Sequence, residues 1–252
     1  MDNIKIYYIN LDNSPLRNNF MQEQFRKFNL EATRFSAIDG EKLNKNLLDT
    51  IYAKLKKKNP HYSIPKVGEI GVFYSHKKLY ETIAQQNEEF ALILEDDVLI
   101  KKELIEDLEK ILPNLKSSQM LDLSGKKGFF CSRYKKISNE LLFFKCITPA
   151  LGMQGRIIGK EAAARLNSFL KEYQKPIDTI LQDIYRHNIT LLTTNKKYIT
   201  HNYKNLGGST IQTKNKKNIN SKLRQEFLRP LYRAKTHILN SYFFLFRKLN
   251  ER

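Results

Sequence analysis

Two cysteines, no apolar run of membrane-spanning length and a shortage of acidic residues set the first limits on what these 252 residues do. Cys131 and Cys146 stand in no CxxC or HxxxH spacing of the metal-binding kind, and a secreted disulfide framework normally carries more cysteines. The expected setting is therefore reducing and cytoplasmic. The longest apolar stretches, such as Tyr242 to Phe246, fall far short of the roughly 20 residues that a bilayer span needs. Met1-Asp2-Asn3 leads straight into Ile4 to Ile9 with no basic segment and no small-residue cleavage site, so no signal peptide is expected. Internal repeats and low-complexity tracts are absent. The length suits one medium-sized domain, or one domain with an appendage.

Acidic residues number 26 against 44 lysines and arginines, which leaves a formal net charge of +18. An imbalance of that size calls for an anionic partner: nucleic acid, a membrane surface or a phosphorylated substrate. Half of the excess lies in one place, since residues 214–252 hold eleven Lys or Arg against two Glu, a net of +9. A generally basic, Lys-, Asn- and Ile-rich composition of the kind an AT-rich genome produces is the competing explanation.

Along the chain, β-branched and aromatic Ile4 to Ile9 predict a first strand that ends in the turn-prone Asn10 to Pro15. A helix follows, with Ser14 as cap, Pro15 in its first turn, and Leu16, Phe20, Phe25 and Phe28 as its apolar positions. Thr33 to Ile38 predicts a second strand, closed by Asp39-Gly40. Val72, His76, Leu79 and Ile83 share a stripe at helical spacing within Glu69 to Gln86. Phe90 to Leu94 is a short continuous apolar run, as in a strand buried on both faces. Further strands are expected around Leu121 to Leu123, Phe129-Phe130, Leu141 to Phe144 and Tyr198 to Thr200. Helices are expected over Lys160 to Tyr173, with Ala163, Leu166, Phe169 and Leu170 inward, and over Ile177 to His187. This alternation predicts an α/β fold, a mainly parallel sheet covered by helices, with ligands at the carboxyl ends of the strands. Residues 1–208 form the expected catalytic unit, and 209–252 a basic appendage: a linker over Thr213 to Ser221, then a helix over Lys222 to Leu249 broken at Pro230.

Glu95-Asp96-Asp97 follows the buried run at once. Three carboxylates in a partly dry place repel one another and resist ionisation, a cost that a hard divalent cation removes. Alternation along an extended segment lets Glu95 and Asp97 share a side while Asp96 points to a neighbouring group. An acidic loop capping the next helix, with Asp97 near its N-terminus, is equally compatible with the spacing.

The segments YYINLDNSPLR (Tyr7 to Arg17), FSAIDG (Phe35 to Gly40), GEIGVFYSHKKLYETI (Gly68 to Ile83), ALILEDDVLI (Ala91 to Ile100) and KPID (Lys175 to Asp178) resemble, in this order, the motifs of glycosyltransferase family 25. That is the lipooligosaccharide-biosynthesis family, itself similar to collagen galactosyltransferases. The resemblance covers roughly residues 4–205 and implies a GT-A-type, Rossmann-like fold, a UDP-sugar donor, usually UDP-galactose, Mn²⁺ or Mg²⁺, and inversion at the anomeric carbon. Glu95 and Asp97 then become metal ligands and Asp96 a donor contact. His201 is a possible third ligand, against the alternative of a lone surface histidine. Asn10, Asp12 and Arg17 match the first-strand motif and are expected at the nucleotide, with Arg17 available to a phosphate; ordinary turn chemistry is the alternative for the first two. Asp39 and Gly40 are expected at ribose or base, or in a plain strand-end turn. Glu69, Gly71, Ser75 and His76 match a further motif. Glu69 suits sugar hydroxyls or a helix cap, Gly71 close backbone approach, and His76 a supporting place near the donor or simple burial. The proton acceptor is sought among Asp178, Glu69 and Asp183. Asp178 is otherwise a helix N-cap, and Asp183 lies about half a turn from it in angle.

The expected activity is transfer of a hexose, galactose first, from a UDP-sugar to a lipooligosaccharide or other glycan acceptor at the cytoplasmic face of the inner membrane. The basic tail would rest on the anionic lipid surface. A glucosyl- or N-acetylhexosaminyltransferase on the same scaffold is the nearest alternative, and a glycoside hydrolase also uses two carboxylates. A nucleic-acid-binding protein is suggested by the basic charge, but no binding motif appears and no nucleic acid is expected as partner. The acceptor pocket is expected from Leu43 to Lys66 and Ser117 to Lys145.

Overall fold

The computed structural model describes residues 3–58, 64–202, 206–207 and 219–250, except for the side chains at 58, 219–229 and 247–250. The chain alternates strand and helix at first: β1 (Ile4–Asn10), α1 (Pro15–Lys27), β2 (Thr33–Ser36), α2 (Lys45–Lys58), α3 (Val67–Gln85), β3 (Phe90–Glu95), β4 (Val98–Ile100) and α4 (Lys102–Ile111). Strands then predominate in β5 (Gln119–Asp122), β6 (Phe129–Lys136), β7 (Leu142–Thr148) and β8 (Gly155–Gly159). Last come α5 (Lys160–Phe169), α6 (Ile177–Leu181), α7 (Ile184–His187), β9 (Thr190–Thr194), β10 (Ile199–His201) and α8 (Ile219–Asn250).

Eight strands make one sheet in the order β2-β1-β3-β8-β5-β9-β7-β6, and β10 pairs with β4 in a separate ribbon. β1 runs parallel to β2 and β3, and β5 parallel to β9. β8 enters antiparallel between β3 and β5, and the β6–β7 hairpin closes the far edge antiparallel. The α/β, Rossmann-like class stands, with its parallel βαβ character concentrated in the first half.

Residues of β1 and β3 alternate between two cores, as the period of two in a strand demands. Tyr7, Ala91 and Ile93 face α3 and α5, where Phe73, Leu79, Ile83 and Leu166 are buried. Ile6, Tyr8, Leu92 and Leu94 face the opposite layer with Met21, Phe25, Leu104 and Leu108. All residues from Phe90 to Leu94 are buried, as their unbroken apolar run requires.

Several expectations change at this level. Leu16 is 60% exposed, and Arg17 turns inward beside it with Met21, Gln24 and the expected Phe25, because Arg17 finds a carboxylate partner inside. Ser14 precedes α1 without a side-chain cap hydrogen bond. Ile177 to His187 forms two short helices rather than one. Cys131 and Cys146 stand opposite each other across the β6–β7 hairpin and form a disulfide. The hairpin register, not their spacing, brings them together, so the cysteines no longer speak for a reducing setting. The expected linker over Thr213 to Ser221 lies outside the described residues up to position 218. α8 runs through Pro230 without the expected break, and beyond it buried Thr236 and Asn240 anchor the helix. Asn240 donates to the carbonyls of Ile147 (2.9 Å) and Gln182 (2.8 Å). His237 meets Thr148 at 2.6 Å and stacks on Phe129. No described helix is long and apolar enough to cross a membrane.

Candidate functional site

β1, β2 and β3 end side by side, and a cavity of about 890 Å³ opens where they end. Ile9, Leu11, Ala37 and Asp39 line one side of it, Glu95, Asp96 and Asp97 another, and Glu69, Ser75 and His76 of α3 also border it. Gly152, Met153 and Asp178 lie on the wall reached through β8 and α6, and His201 completes the lining beside the acidic cluster.

The acidic cluster is divided by function of place. Asp96 is fixed: it accepts from Asn10 Nδ2 at 2.8 Å and from Arg17 Nη1 at 2.7 Å. Burial pushes its pKa up, and those two hydrogen bonds oppose the rise. Glu95 and Asp97 are left to face His201, and the three residues offer ligand atoms within 4.8 Å of one another. The sequence separation is closed by a short ribbon. β10 runs antiparallel to β4 with His201 opposite Val98, and the Asn202 amide donates to the Asp97 carbonyl at 2.7 Å. Thus Asp97 opens into a strand pairing and does not cap the following helix, which begins at Lys102.

Two observations test whether these residues suit a cation. Asp97 Oδ1 is buried with no hydrogen-bond partner, at 3.6 Å from His201 Nδ1. Glu95 is pushed up to about 8, first by burial and then by Asp97, Asp96 and Asp178. Negative charge is concentrated beyond what the local partners balance, and the set of two carboxylates and one imidazole matches the donors of a divalent metal site.

The other expected residues separate into those at the cavity and those behind it. Arg17 lines the cavity, but its guanidinium is paired with Asp96 and lies 3.4 Å from Asp97. Asn10 is outside the lining: it bonds to Asp96 and the Ser14 carbonyl and accepts from Arg34 Nε at 2.9 Å. Asp12 is likewise outside, held by Arg34 (2.7 Å) and Ser36 (2.8 Å). These two residues brace the first turn and the adjacent strand. Asp39 lines the cavity and accepts from the Glu41 amide at 3.0 Å. Gly40 lines the cavity and Gly71 does not, and the two pack backbone against backbone. A Cβ on Gly71 would stand 2.5 Å from the Ile38 carbonyl oxygen, and one on Gly40 would stand 2.0 Å from that of Val67. The close approach expected of Gly71 is therefore to the 38–40 loop. Ser75 fastens the same junction, accepting from the Ile38 amide and donating to the Gly71 carbonyl, both at 2.8 Å.

Among the three carboxylates considered as bases, Glu69 and Asp178 line the cavity and Asp183 does not. Asp183 is buried against Lys175 at 2.6 Å and Arg186 at 3.5 Å. Pro176, not Asp178, occupies the N-cap of α6; Asp178 sits one position inside its first residue and accepts from the Thr179 amide at 2.7 Å. Glu69 accepts from the Lys66 amide at 3.1 Å, which closes the start of α3. Of the segments expected to build an acceptor pocket, Leu43 to Lys66 supplies Tyr52, Ile64, Pro65 and Lys66, whereas no residue of Ser117 to Lys145 lines the cavity.

Arg156 is a further buried residue beside the site. It is buried in β8, donates to the Gly152 carbonyl and lies 3.4 Å from Asp122. Nothing in the string GRIIG marks that arginine as interior.

Comparison with known proteins agrees with the geometry. The profile of a family described as glycosyltransferase family 25 (LPS biosynthesis protein) matches residues 3–181. A glycosyltransferase 25 family member of Aedes aegypti is 38% identical over 96 residues, 37% of this chain and 16% of the relative. A Drosophila melanogaster protein of the same description is 29% identical over 122 residues, 47% and 20% of the two chains. Human procollagen galactosyltransferase 2 is 28% identical over 190 residues, which span 72% of this chain and 30% of the relative. The chain thus covers less than a third of the length of each of these relatives. With its family motifs gathered at one cavity and the family profile spanning most of its length, the chain belongs to glycosyltransferase family 25.

Proposed function

We propose that this glycosyltransferase moves a hexose, galactose first, from a UDP-sugar to a glycan hydroxyl by a single inverting displacement assisted by a divalent metal. The observation that carries the proposal is the convergence of Glu95, Asp97 and His201 at a cavity that also holds Asp178. Its volume of about 890 Å³ lies within the range of roughly 300–1,000 Å³ usual for small-ligand pockets.

In this assignment the nucleotide occupies the side lined by Leu11, Ala37 and Asp39, and the diphosphate reaches the acidic cluster. Glu95, Asp97 and His201 would hold the metal, and the imidazole in the set favours Mn²⁺ over the more strictly oxygen-seeking Mg²⁺. Bound there, the metal would neutralise charge on the departing diphosphate. Asn10 and Arg17 keep Asp96 in place and so fix the turn that carries Asp97. Asp178 takes the proton of the attacking hydroxyl, and Glu69 is the second candidate for that task. A lipooligosaccharide acceptor draws support from the family description, and galactose from the name of the human relative. Glucosyl or N-acetylhexosaminyl transfer would use the same residues. Incubation with UDP-galactose, UDP-glucose and UDP-N-acetylglucosamine in Mn²⁺ tests the donor: UDP release is expected to be fastest from UDP-galactose. Faster release from either of the others would reassign the sugar.

The proposal extends to an anionic membrane surface, in support of which α8 carries an exposed apolar stripe among basic residues. Leu231, Ile238, Tyr242, Leu245 and Phe246 are exposed, whereas Phe243 and Phe244 pack on the core. The aromatic cluster Tyr242 to Phe246 is therefore split between two roles. Changing Tyr242 and Phe246 to Ser is expected to weaken binding to anionic liposomes several-fold with an unchanged rate of UDP release. Phe243→Ser should instead lower the melting temperature. Unaltered liposome binding by the Tyr242/Phe246 variant would remove the stripe from the account.

A further inference from the structure

His76 is 1% exposed, lines the cavity, and has an Nδ1 atom with no hydrogen-bond partner. Its neighbours do not supply one. The Tyr80 ring lies 5.8 Å away by centroids, and its buried hydroxyl is itself without a partner. Arg156 Nε, buried on the sheet side, is also without one. A buried polar atom left unmatched costs stability and commonly marks a place completed by something absent from the protein alone. Burial and the Arg156 charge hold His76 down to about 3, so at neutral pH its ring is uncharged. A neutral imidazole has one nitrogen that donates and one that accepts, which is what a hydroxyl group can match on both counts.

With the nucleotide placed as assigned above, the strand order sets which part of the donor would meet it. β2 and β1 lie on one side of β3, and β8 lies on the other. A nucleotide against the β1 and β2 ends, with its diphosphate at the end of β3, directs the group beyond the diphosphate toward β8. That is where Gly152 and Met153 line the cavity and where the Gly152 carbonyl accepts from Arg156. Resting on the nucleotide-sugar assignment above, we propose that His76 is a specificity-determining residue that hydrogen-bonds a hydroxyl of the transferred sugar, on a wall that Arg156 pins through the Gly152 carbonyl.

Calorimetric titration of the full chain in Mn²⁺, with UDP and separately with UDP-galactose, tests this. His76→Leu is expected to keep UDP affinity within about twofold and to weaken UDP-galactose binding by about tenfold, the scale of one neutral hydrogen bond in a site built for it. His76→Gln, which retains polar atoms, should recover part of the loss. Equal losses for both ligands, or none for either, would overturn the proposal. A second measurement leaves the protein unaltered: with ¹⁵N-histidine labelling and diamagnetic Mg²⁺ in place of Mn²⁺, the His76 ring signals should shift on adding UDP-galactose beyond any shift caused by UDP. Identical spectra with the two ligands would likewise overturn it. Failure of the unaltered protein to bind UDP at all defeats the underlying nucleotide-sugar assignment instead, and is distinguishable from both.

Discussion

Asp97→Asn is expected to lower sugar transfer by about three orders of magnitude or more, since stabilisation of a leaving group by a bound metal amounts to several kcal/mol and each tenfold in rate is about 1.4 kcal/mol. The substitution keeps the side chain's size and leaves the main-chain bond from Asn202 to the Asp97 carbonyl in place. It removes one of the two carboxylates that face His201. It also removes the largest of the neighbouring charges that push Glu95 upward, so the metal-free protein should not melt at a lower temperature. Activity lost with stability kept separates a ligand from a structural residue. Transfer rates in Mn²⁺ and melting curves in EDTA check both halves, and near-normal transfer by the variant would dismiss Asp97 as a ligand.

Asp178→Asn should reduce turnover by about 10²–10⁴-fold, the usual contribution of a general base, while UDP affinity stays within about twofold. Asn retains the oxygen that accepts from the Thr179 amide and serves a helix start about as well as Asp, so a role confined to the first turn of α6 predicts almost no change. Turnover and UDP affinity measured on the same preparation decide between them. Near-normal turnover would move the base to Glu69, the other of the three carboxylates that lines the cavity.

What could be seen in the sequence is what local pattern determines. Phe90 to Leu94 reads as a doubly buried strand because nothing polar interrupts it, and three carboxylates placed directly after such a strand stand out. Residues 67–85 show their inward stripe in the same way, with His76, Leu79 and Ile83 buried as their spacing implies. In α4, Leu104, Leu108 and Ile111 recur at helical spacing, but the charged residues between them mask so short an amphipathic helix. β8 is only five residues long with glycine at both ends, and the close packing of those glycines cannot be seen without the neighbours.

Pairings between distant segments were harder to read. His201 meets Asp97 only because β10 lies against β4, and Cys131 meets Cys146 only through a hairpin register. Arg17 turns inward in place of Leu16 because Asp96, far along the chain, draws it. Electrostatic partners thus override the apolar preference of a helix face wherever a buried carboxylate needs a cation. The same dependence on tertiary partners divides Phe243 and Phe244 from Tyr242 and Phe246, residues that composition alone groups together.

Glu95, Asp97 and His201 are proposed to form a metal-assisted site for a UDP-sugar. Calorimetric titration of UDP into the unaltered protein, once in excess Mn²⁺ and once in EDTA, tests it most directly. Binding in Mn²⁺ is expected to be at least tenfold tighter than in EDTA, a difference of about 1.4 kcal/mol. Equal affinity under the two conditions, or no UDP binding under either, would contradict it.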